Sequence, residues 1–293
     1  MKNRKGIILA GGKGTRLFPV SKVISKQLLP VYDKPMIYYP ISTLMSASIR
    51  EILVICNPCD IEIYKNLLGD GSDLGISISY ETQKEPEGIA QAFLIAEKFI
   101  GNSNCVLILG DNLFYGNNLC QELISASGDE MNATIFAYPV VDPERYGVVQ
   151  FDKNFKVKNI QEKPKLALSN YAITGIYFYD NNVIKVAKTL KPSPRGELEI
   201  TDINNYYLKR NLLKVRVLNR GIAWFDTGTF DSLIEASNFI QTLEHRQGLK
   251  IGCPEEIAWR NRWISITDLK KIAKKYINSS YGKYLIKLEE SEL

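Results

Sequence analysis

Lys5-Gly-Ile-Ile-Leu-Ala-Gly-Gly-Lys-Gly-Thr-Arg-Leu17 is a short apolar run that passes directly into a glycine-rich turn. The apolar run from residue 6 to residue 10 is bounded by turn residues, which predicts a buried strand. Three glycines in four positions let the backbone approach a ligand closely and turn its N–H groups inward, as in a phosphate cradle. Arg16 and, ten residues on, Lys26 add positive charge beside it. The stretch therefore predicts a phosphate-binding loop after the first strand. An ordinary glycine-rich turn without a ligand is the alternative.

Two well-known phosphate motifs do not fit this loop. A Walker A loop requires Gly-x4-Gly-Lys-[Ser/Thr], whereas Lys13 is followed by Gly14 and no glycine stands at the first position. A dinucleotide fingerprint requires Gly-x-Gly-x-x-Gly, and Leu17 stands where the third glycine belongs. The loop is thus of another type.

The composition is that of an ordinary globular protein. The chain has 293 residues, of which 45% are hydrophobic and 24% are charged. Its net charge of +5 is spread along the sequence, which suits a small anionic ligand but does not indicate nucleic acid. No apolar run approaches the ~20 residues of a membrane span, and no signal-peptide core is present. We expect a cytoplasmic protein without a nucleic-acid or membrane partner.

The cysteine and histidine content limits the kinds of catalytic and metal sites that the chain can form. Five cysteines, an odd number, indicate reduced thiols, and Cys56-Asn-Pro-Cys59 is interpreted as structural because no second pair accompanies it. His245 is the single histidine of the sequence, which excludes histidine-based triads and multi-histidine metal sites. Any chemistry is expected to depend on carboxylates, cations and a bound metal ion.

The order of predicted elements indicates an α/β fold. Residues 5 to about 115 alternate short strands with helices, which predicts a parallel sheet; two of the helices are expected over residues 35–47 and 89–99. Residues 133–225 are richer in strand pattern, and the chain becomes helical from residue 231. We predict one domain over residues 1–293, with a Rossmann-like mixed sheet flanked by helices. Its parts are a first half that carries the predicted phosphate-binding loop (1–115), a β-rich second half (116–230) and a helical C-terminal segment (231–293).

Three polar segments follow strands of the predicted parallel sheet, and ligands collect at that edge of such sheets. They are the glycine loop, residues 83–88 and residues 110–112. Gln83 offers the donor and acceptor that reading a pyrimidine edge requires, and Gly88 would let backbone groups reach the base. A plain helix-capping turn is the alternative for residues 83–88.

Two aspartates follow apolar strands beside glycines. Asp111 stands in Gly-Asp-Asn and Asp226 in Trp-Phe-Asp-Thr-Gly. Mg²⁺ is typically held by one or two carboxylates together with phosphate oxygens. A lone aspartate at a strand end more often caps a turn, but two such sites predict a Mg²⁺ site for phosphoryl chemistry.

A third cluster carries groups for a phosphorylated sugar. Glu162 can accept hydrogen bonds from sugar hydroxyls, while Lys163 and Arg195 can pair with the sugar's phosphate. Glu199 and Asp202, on the acidic stretch that follows, are interpreted as structural groups of a helix start.

Long ordered motifs carry a family resemblance. They include G-G-x-G-T-R-L, S-K-Q-L-L-P-V-Y-D-K-P, Q-x-x-P-x-G-x-A-Q-A-F, E-R-Y-G-V-V and R-G-E-L-E-I-T-D-I-N. With them, the chain from residue 5 to about 263 resembles the nucleotide-sugar pyrophosphorylases, in particular their thymidylyl-specific branch. The sequence departs from the family pattern at Ser21, Asn117 and Gln150. Asn117 replaces a frequent histidine in the region where the family's effector binds, which bears on inherited feedback control.

The resemblance implies a nucleotidyltransferase-type fold and a Mg²⁺-dependent reaction of dTTP with glucose 1-phosphate that gives dTDP-glucose and pyrophosphate. It further implies a role in dTDP-deoxysugar (rhamnose-type) synthesis and a homotetramer. The alternatives are a uridylyl or cytidylyl transferase acting on another sugar 1-phosphate, and a non-catalytic nucleotide-sugar sensor.

The residues that the motifs and the resemblance together assign fall into four sets. The catalytic set is Arg16, Lys26, Asp111 and Lys163. The nucleotide set is Leu9, Gly11, Gly12, Gly14, Thr15, Arg16, Gln27, Gln83, Pro86, Gly88 and Asp111. The sugar-phosphate set is Asn112, Tyr146, Gly147, Glu162, Lys163, Ile173, Tyr177, Arg195 and Trp224. The metal set is Asp111 and Asp226.

Overall fold

The computed structural model describes residues 4–129 and 133–288, and its elements are arranged around one large mixed sheet. The outermost residues of the predicted domain, 1–3 and 289–293, lie outside the described residues. The strands are β1 Lys5–Ala10, β2 Pro30–Val31, β3 Lys34–Pro35, β4 Glu51–Cys56, β5 Ser77–Thr82, β6 Cys105–Leu109, β7 Asn112–Gly116, β8 Ala133–Pro139, β9 Gly147–Phe151, β10 Val157–Glu162, β11 Tyr171–Tyr179, β12 Leu213–Val217 and β13 Ile222–Asp226. The helices are α1 Tyr38–Ser46, α2 Ile61–Leu68, α3 Gln91–Ile95, α4 Glu97–Ile100, α5 Leu119–Ser127, α6 Val183–Ala187, α7 Ile200–Leu208, α8 Phe230–Gln247, α9 Pro254–Arg260, α10 Ile266–Lys275 and α11 Ser280–Lys287.

The first half of the chain forms the parallel part of the sheet. β1 lies between β4 and β6 and is parallel to both, and β5 continues the parallel order beyond β4. Ile7 and Ile8, which point to opposite faces of β1, are both fully buried. Strands covered on both faces are typically continuous apolar runs, and β1 is one. The predicted parallel arrangement is confirmed.

The second half extends the same sheet. β11 is antiparallel to β6 and also pairs with β8 and β9, while β12 lies parallel to β8 at one side. Among the described residues the sheet has nine strands, with the main order β10-β9-β11-β6-β1-β4-β5. The predicted mixed α/β sheet is therefore confirmed, with β11 as the junction of its two halves.

The pairing of β7 with β13 in a small two-stranded sheet was not indicated by the sequence. β7 and β13 pair antiparallel, with Asn112 opposite Asp226. Thr227, just beyond β13, donates hydrogen bonds from its backbone N (3.1 Å) and its Oγ1 (2.8 Å) to the carbonyl oxygen of Asp111. This pairing brings two segments more than a hundred residues apart to one point at the sheet edge.

Two predicted helices differ from the structure. The helix expected over residues 35–47 begins only at Tyr38, because Lys34 and Pro35 form a strand with β2. The helix expected over residues 89–99 is two short helices, since Ala96 adopts φ −81° and ψ 1° and ends α3.

The C-terminal segment is helical as predicted. Thr229 and Ser232 form a reciprocal capping box that begins α8, and α9 packs against α1. Among the residues described, no helix has the length and apolar character needed to cross a membrane.

Candidate active site

A cavity of about 330 Å³ opens at the edge of the sheet where β1 and β6 end. Its walls come from the glycine loop after β1, the turn after β6, the turn before β9, the ends of β10 and β13, the middle of β11 and the start of α7. Of the residues assigned from the sequence, the lining contains Gly14, Thr15, Arg16, Lys26, Asp111, Asn112, Tyr146, Gly147, Glu162, Lys163, Ile173, Tyr177, Trp224 and Asp226. The structure thus brings together groups from seven separate stretches of the sequence.

Asp111 and Asp226 form the acidic centre of the cavity. Burial disfavours the charged form of Asp111, but the ion pair with Lys26 and a hydrogen bond from Asn112 Nδ2 (2.9 Å) outweigh it and lower the pKa of this carboxyl. The pKa of Asp226 is raised to about 6, first by burial and then by the negative charge of Asp111. Two nearby carboxylates that repel each other are suited to a shared cation.

Two arginines lie beside Asp226. A Cβ added at Gly228 would lie 3.3 Å from Asp226 Oδ2 and 3.6 Å from Arg16 Nη1, so this guanidinium and this carboxylate border the same glycine. Arg16 is exposed and makes no ion pair within the described parts of the chain. Arg145 Nη2 lies 3.9 Å from Asp226 Oδ2 on the wall formed by the turn before β9. Cations from two different loops therefore border one carboxylate.

Asn112 joins three elements beneath the acidic pair. Its Oδ1 accepts hydrogen bonds from the backbone N of Gly175 (3.0 Å) and from Trp224 Nε1 (2.6 Å), and its Nδ2 donates to Asp111. Asn112 is only 1% exposed. The structure gives it a positioning role, whereas its predicted contact with the sugar stays a prediction.

Glu162 and Lys163 line the cavity at the end of β10. Glu162 accepts a hydrogen bond from Thr201 Oγ1, and burial, together with the charge of Glu199, raises its pKa. Lys163 has a φ of 39°, a left-handed conformation that is uncommon outside glycine and that clusters at functional sites. Its backbone N donates to the carbonyl oxygen of Tyr146 (3.0 Å), which fixes the strained residue against the turn before β9.

Arg195 is placed differently from its prediction. It does not line the cavity, because its guanidinium is held by Glu199 at 2.9 Å and by Glu197 at 3.1 Å, with Glu162 at 3.5 Å. In this arrangement the side chain is neutralised by carboxylates, and a role in binding the sugar phosphate requires it to exchange those partners. That role stays a prediction.

Gln83 and Gly11, both predicted to contact the nucleotide, lie against each other. A Cβ at Gly11 would stand 2.3 Å from Gln83 Oε1, so any larger residue there would force the Gln83 amide to move. Gln83 is buried, and its Nε2 donates to Gln91 Oε1 (2.6 Å). Gly88 has a φ of +107°, and the space beside its Cα is filled by the backbone of Leu198, while Pro86 is exposed.

The remaining nucleotide-set residues lie beneath or beside the loop. Gly12 exchanges backbone hydrogen bonds with the side chain of Asn57 (3.2 and 3.3 Å), which anchors the loop to the end of β4. Gln27 is buried and accepts a hydrogen bond from Ser25 Oγ, and the carbonyl oxygen of Leu9 accepts one from Gly110. Leu9, Gly12 and Gln27 do not line the cavity.

Several lining residues were not assigned from the sequence. They are Ile89, Leu109, Arg145, Gly175, Ile200, Thr201 and Gly228. Arg145 and Thr201 belong to quoted motifs, E-R-Y-G-V-V and R-G-E-L-E-I-T-D, so the position of each motif was the available signal. The apolar lining residues had no feature of their own in the sequence that marked them as part of a binding site.

Comparison with known proteins agrees with this geometry. The family model described as nucleotidyl transferase matches residues 5–242. A glucose-1-phosphate thymidylyltransferase of Neisseria meningitidis is 57% identical over 284 residues, which cover 97% of this chain and 99% of the relative.

Two solved structures share the fold. One, from Bacillus anthracis, is provisionally described as a glucose-1-phosphate thymidylyltransferase in complex with a sucrose; it matches with a TM-score of 0.74 and 44% identity, covering 80% of this chain and 94% of that one. The other, a UDP-glucose pyrophosphorylase complexed with UDP-glucose, matches with a TM-score of 0.72 and 26% identity over 82% and 99% of the two chains. The chain belongs to the glucose-1-phosphate thymidylyltransferases, within the nucleotidyl transferase family, and is an enzyme that transfers a nucleotidyl group to a sugar 1-phosphate.

Proposed function

We propose that the chain catalyses the Mg²⁺-dependent transfer of a thymidylyl group from dTTP to glucose 1-phosphate, which gives dTDP-glucose and pyrophosphate. The product would supply dTDP-deoxysugar synthesis of the rhamnose type. The observation that carries the proposal is a pair of neighbouring aspartates, Asp111 and Asp226, between cations of the nucleotide loop and cations of the sugar side. The similarity to the glucose-1-phosphate thymidylyltransferase of Neisseria meningitidis supports the choice of substrates.

The reaction needs no general base. The phosphate oxygen of glucose 1-phosphate is already ionised at neutral pH, which agrees with a cavity whose described lining contains no histidine. The task is to hold two anions in line and to offset their repulsion. We assign the triphosphate to the glycine loop and Arg16, and the attacking phosphate to Lys163. Orientation of this kind is worth roughly 7–11 kcal/mol of barrier lowering.

Asp111 and Asp226 fit the proposed Mg²⁺. Both offer hard oxygen ligands, and the raised pKa of Asp226 reports burial and a repulsion that a divalent cation would relieve. Bound Mg²⁺ would offset charge on the α-phosphoryl group. Lys26, which is paired with Asp111, keeps that carboxylate ionised and carries a positive charge into the cavity. Among the described residues, no group of three or more histidine, cysteine, aspartate or glutamate side chains is arranged to hold a metal ion elsewhere.

Base selection is proposed for the loop around Gln83. Its amide lies over Gly11, at the end of β1, where a pyrimidine edge would meet one amide and backbone groups. Thymine and uracil differ by one methyl, worth only ~1–3 kcal/mol in an apolar pocket. We therefore expect UTP to be a poorer substrate than dTTP, and purine triphosphates to be rejected.

The test is pyrophosphate release from purified protein with Mg²⁺, glucose 1-phosphate and each nucleoside triphosphate in turn. The proposal predicts the fastest release with dTTP. Preference for UTP or CTP would favour the same-class alternative, whose fold the UDP-glucose pyrophosphorylase shares. No release with any nucleotide, at a concentration where dTTP binds, would favour the non-catalytic sensor.

Asp231 provides a matched control for the aspartates. It is exposed in the first turn of α8 and does not line the cavity. Asp231→Asn should keep wild-type turnover, whereas Asp111→Asn, the same chemical change, should lower it by orders of magnitude.

Assembly and location remain proposals of the same kind. A homotetramer is proposed from the family resemblance, and sedimentation of the purified chain would test it. A cytoplasmic location is proposed, as expected from the sequence, and fractionation of the cells that make the protein would test it.

A further inference from the structure

Arg145 stands at the cavity wall without having been assigned a role. It ends the 3-10 turn Pro143–Arg145, directly before β9, and lines the cavity next to Tyr146 and Gly147. The turn is held by a hydrogen bond from the backbone N of Tyr146 to the carbonyl oxygen of Pro143 (3.0 Å). A short, bonded turn of this kind presents its last side chain in a defined direction.

The two ends of the guanidinium differ in their partners. Nη1 donates to Asp142 Oδ2 at 2.7 Å, which anchors the group to its own turn. Nη2 is buried yet donates no hydrogen bond within the described residues, and Asp226 Oδ2 lies 3.9 Å from it. That separation is beyond hydrogen-bond range, and a buried donor without an acceptor costs about 1–3 kcal/mol. Such a group indicates a missing partner, here an anion that enters the cavity.

The position of Arg145 in the cavity indicates which of the two substrates supplies this anion. Lys163, assigned to the sugar phosphate, is tied to the Arg145 turn by its backbone hydrogen bond to Tyr146 (3.0 Å). Arg16, assigned to the triphosphate, approaches Asp226 from the glycine loop instead. Arg145 and Lys163 therefore belong to the same wall, and an anion between them and Asp226 is the attacking one.

We propose that Arg145 is a further substrate-binding residue, whose Nη2 donates a hydrogen bond to a phosphate oxygen of the sugar 1-phosphate. This inference rests on the proposed function, because it assigns one wall of the same site. The bound phosphate would satisfy Nη2, and the anchored Nη1 would keep the guanidinium from turning toward Asp226. Arg145 thus acts on the nucleophile while Arg16 acts on the nucleotide.

The experiment compares Arg145→Ala, Arg145→Lys and Asp142→Asn with wild type in initial-rate measurements, varying each substrate at saturation of the other. Charge-assisted hydrogen bonds predict a rise of about 10- to 150-fold in the KM for glucose 1-phosphate in Arg145→Ala, with the KM for dTTP changed by less than about threefold. Arg145→Lys should recover part of the loss. Asp142→Asn, which loosens only the anchor, should have a smaller effect than Arg145→Ala. Arg220→Ala, at an exposed arginine outside the cavity, is the matched control.

Chemical rescue separates substrate contact from a merely structural role. Millimolar guanidinium ion should restore turnover of Arg145→Ala but leave wild type and Arg220→Ala unchanged. An unaltered KM for glucose 1-phosphate, an equal rise in both KM values, or no rescue in a folded Arg145→Ala protein would overturn the proposal. If circular dichroism shows that Arg145→Ala does not fold, the KM ratio of Arg145→Lys decides by the same criteria.

Calorimetric titration with glucose 1-phosphate distinguishes this proposal from the proposed function. If wild type binds the sugar phosphate but releases no pyrophosphate, the proposed function fails, and weaker binding by Arg145→Ala still supports the Arg145 contact. Equal binding by both proteins would overturn it.

Discussion

Replacing Asn112 by alanine tests whether this side chain positions the acidic pair. The change removes the acceptor of two buried donors, the backbone N of Gly175 and Trp224 Nε1. An unsatisfied buried donor costs ~1–3 kcal/mol, so Asn112→Ala should lower the free energy of unfolding by about 2–6 kcal/mol. For 293 residues, an unfolding entropy of ~2.1 cal/mol/K per residue converts this loss into a fall in Tm of roughly 3–10 °C.

The assay is thermal unfolding followed by circular dichroism, with Asn154→Ala in an exposed turn as the control, expected within about 0.5 kcal/mol of wild type. A double-mutant cycle with Trp224→Phe tests the hydrogen bond between these two side chains directly. Since that change removes one of the two donors, Asn112→Ala should cost less in the Trp224→Phe background. Additive effects, or a Tm for Asn112→Ala equal to that of the control, would refute the positioning role.

Three further outcomes are expected. Gly11→Ala should abolish turnover or displace the Gln83 amide, because the new Cβ would stand 2.3 Å from Gln83 Oε1; wild-type kinetics for dTTP would contradict this. Glu255 is buried, and burial raises its pKa in the folded protein, so its contribution to stability is present at low pH and is lost as the pH rises through that pKa. Glu255→Gln should therefore flatten the fall in Tm with rising pH. An unchanged dependence of Tm on pH would argue against this role of Glu255. Lys163→Ala should raise the KM for glucose 1-phosphate by about tenfold to a hundredfold, and an unchanged KM would remove the assignment.

The fold was largely predictable because its strands are strongly patterned. β9 and β11 lie in the region predicted to be rich in strands, and their apolar runs are bounded by turn residues. The predicted bounds of the helices over residues 35–47 and 89–99 were less accurate. Their limits depend on a pairing with β2 and on the conformation of Ala96, which tertiary contacts decide.

The site was predictable as a location more than as a set of contacts. Asp111 was placed by the rule that ligand-binding groups gather where the strands of a parallel sheet end, because it follows β6; that rule does not reach Asp226, which ends β13 in the small separate sheet. The pairing of β7 with β13, which places them side by side, had no sequence signal. Arg195 illustrates the other limit, since whether a cation faces a ligand or three carboxylates depends on side-chain packing.

The most direct test of the proposed reaction is product formation by wild type and Asp226→Asn across a Mg²⁺ titration, with dTTP and glucose 1-phosphate as substrates. Chromatography should show dTDP-glucose and pyrophosphate in equal amounts for wild type, abolished by EDTA and restored by added Mg²⁺. Asp226→Asn is isosteric and should keep the circular dichroism spectrum of wild type while losing turnover by orders of magnitude. Wild-type rates and metal dependence in Asp226→Asn, or no dTDP-glucose from the wild-type protein, would contradict the account.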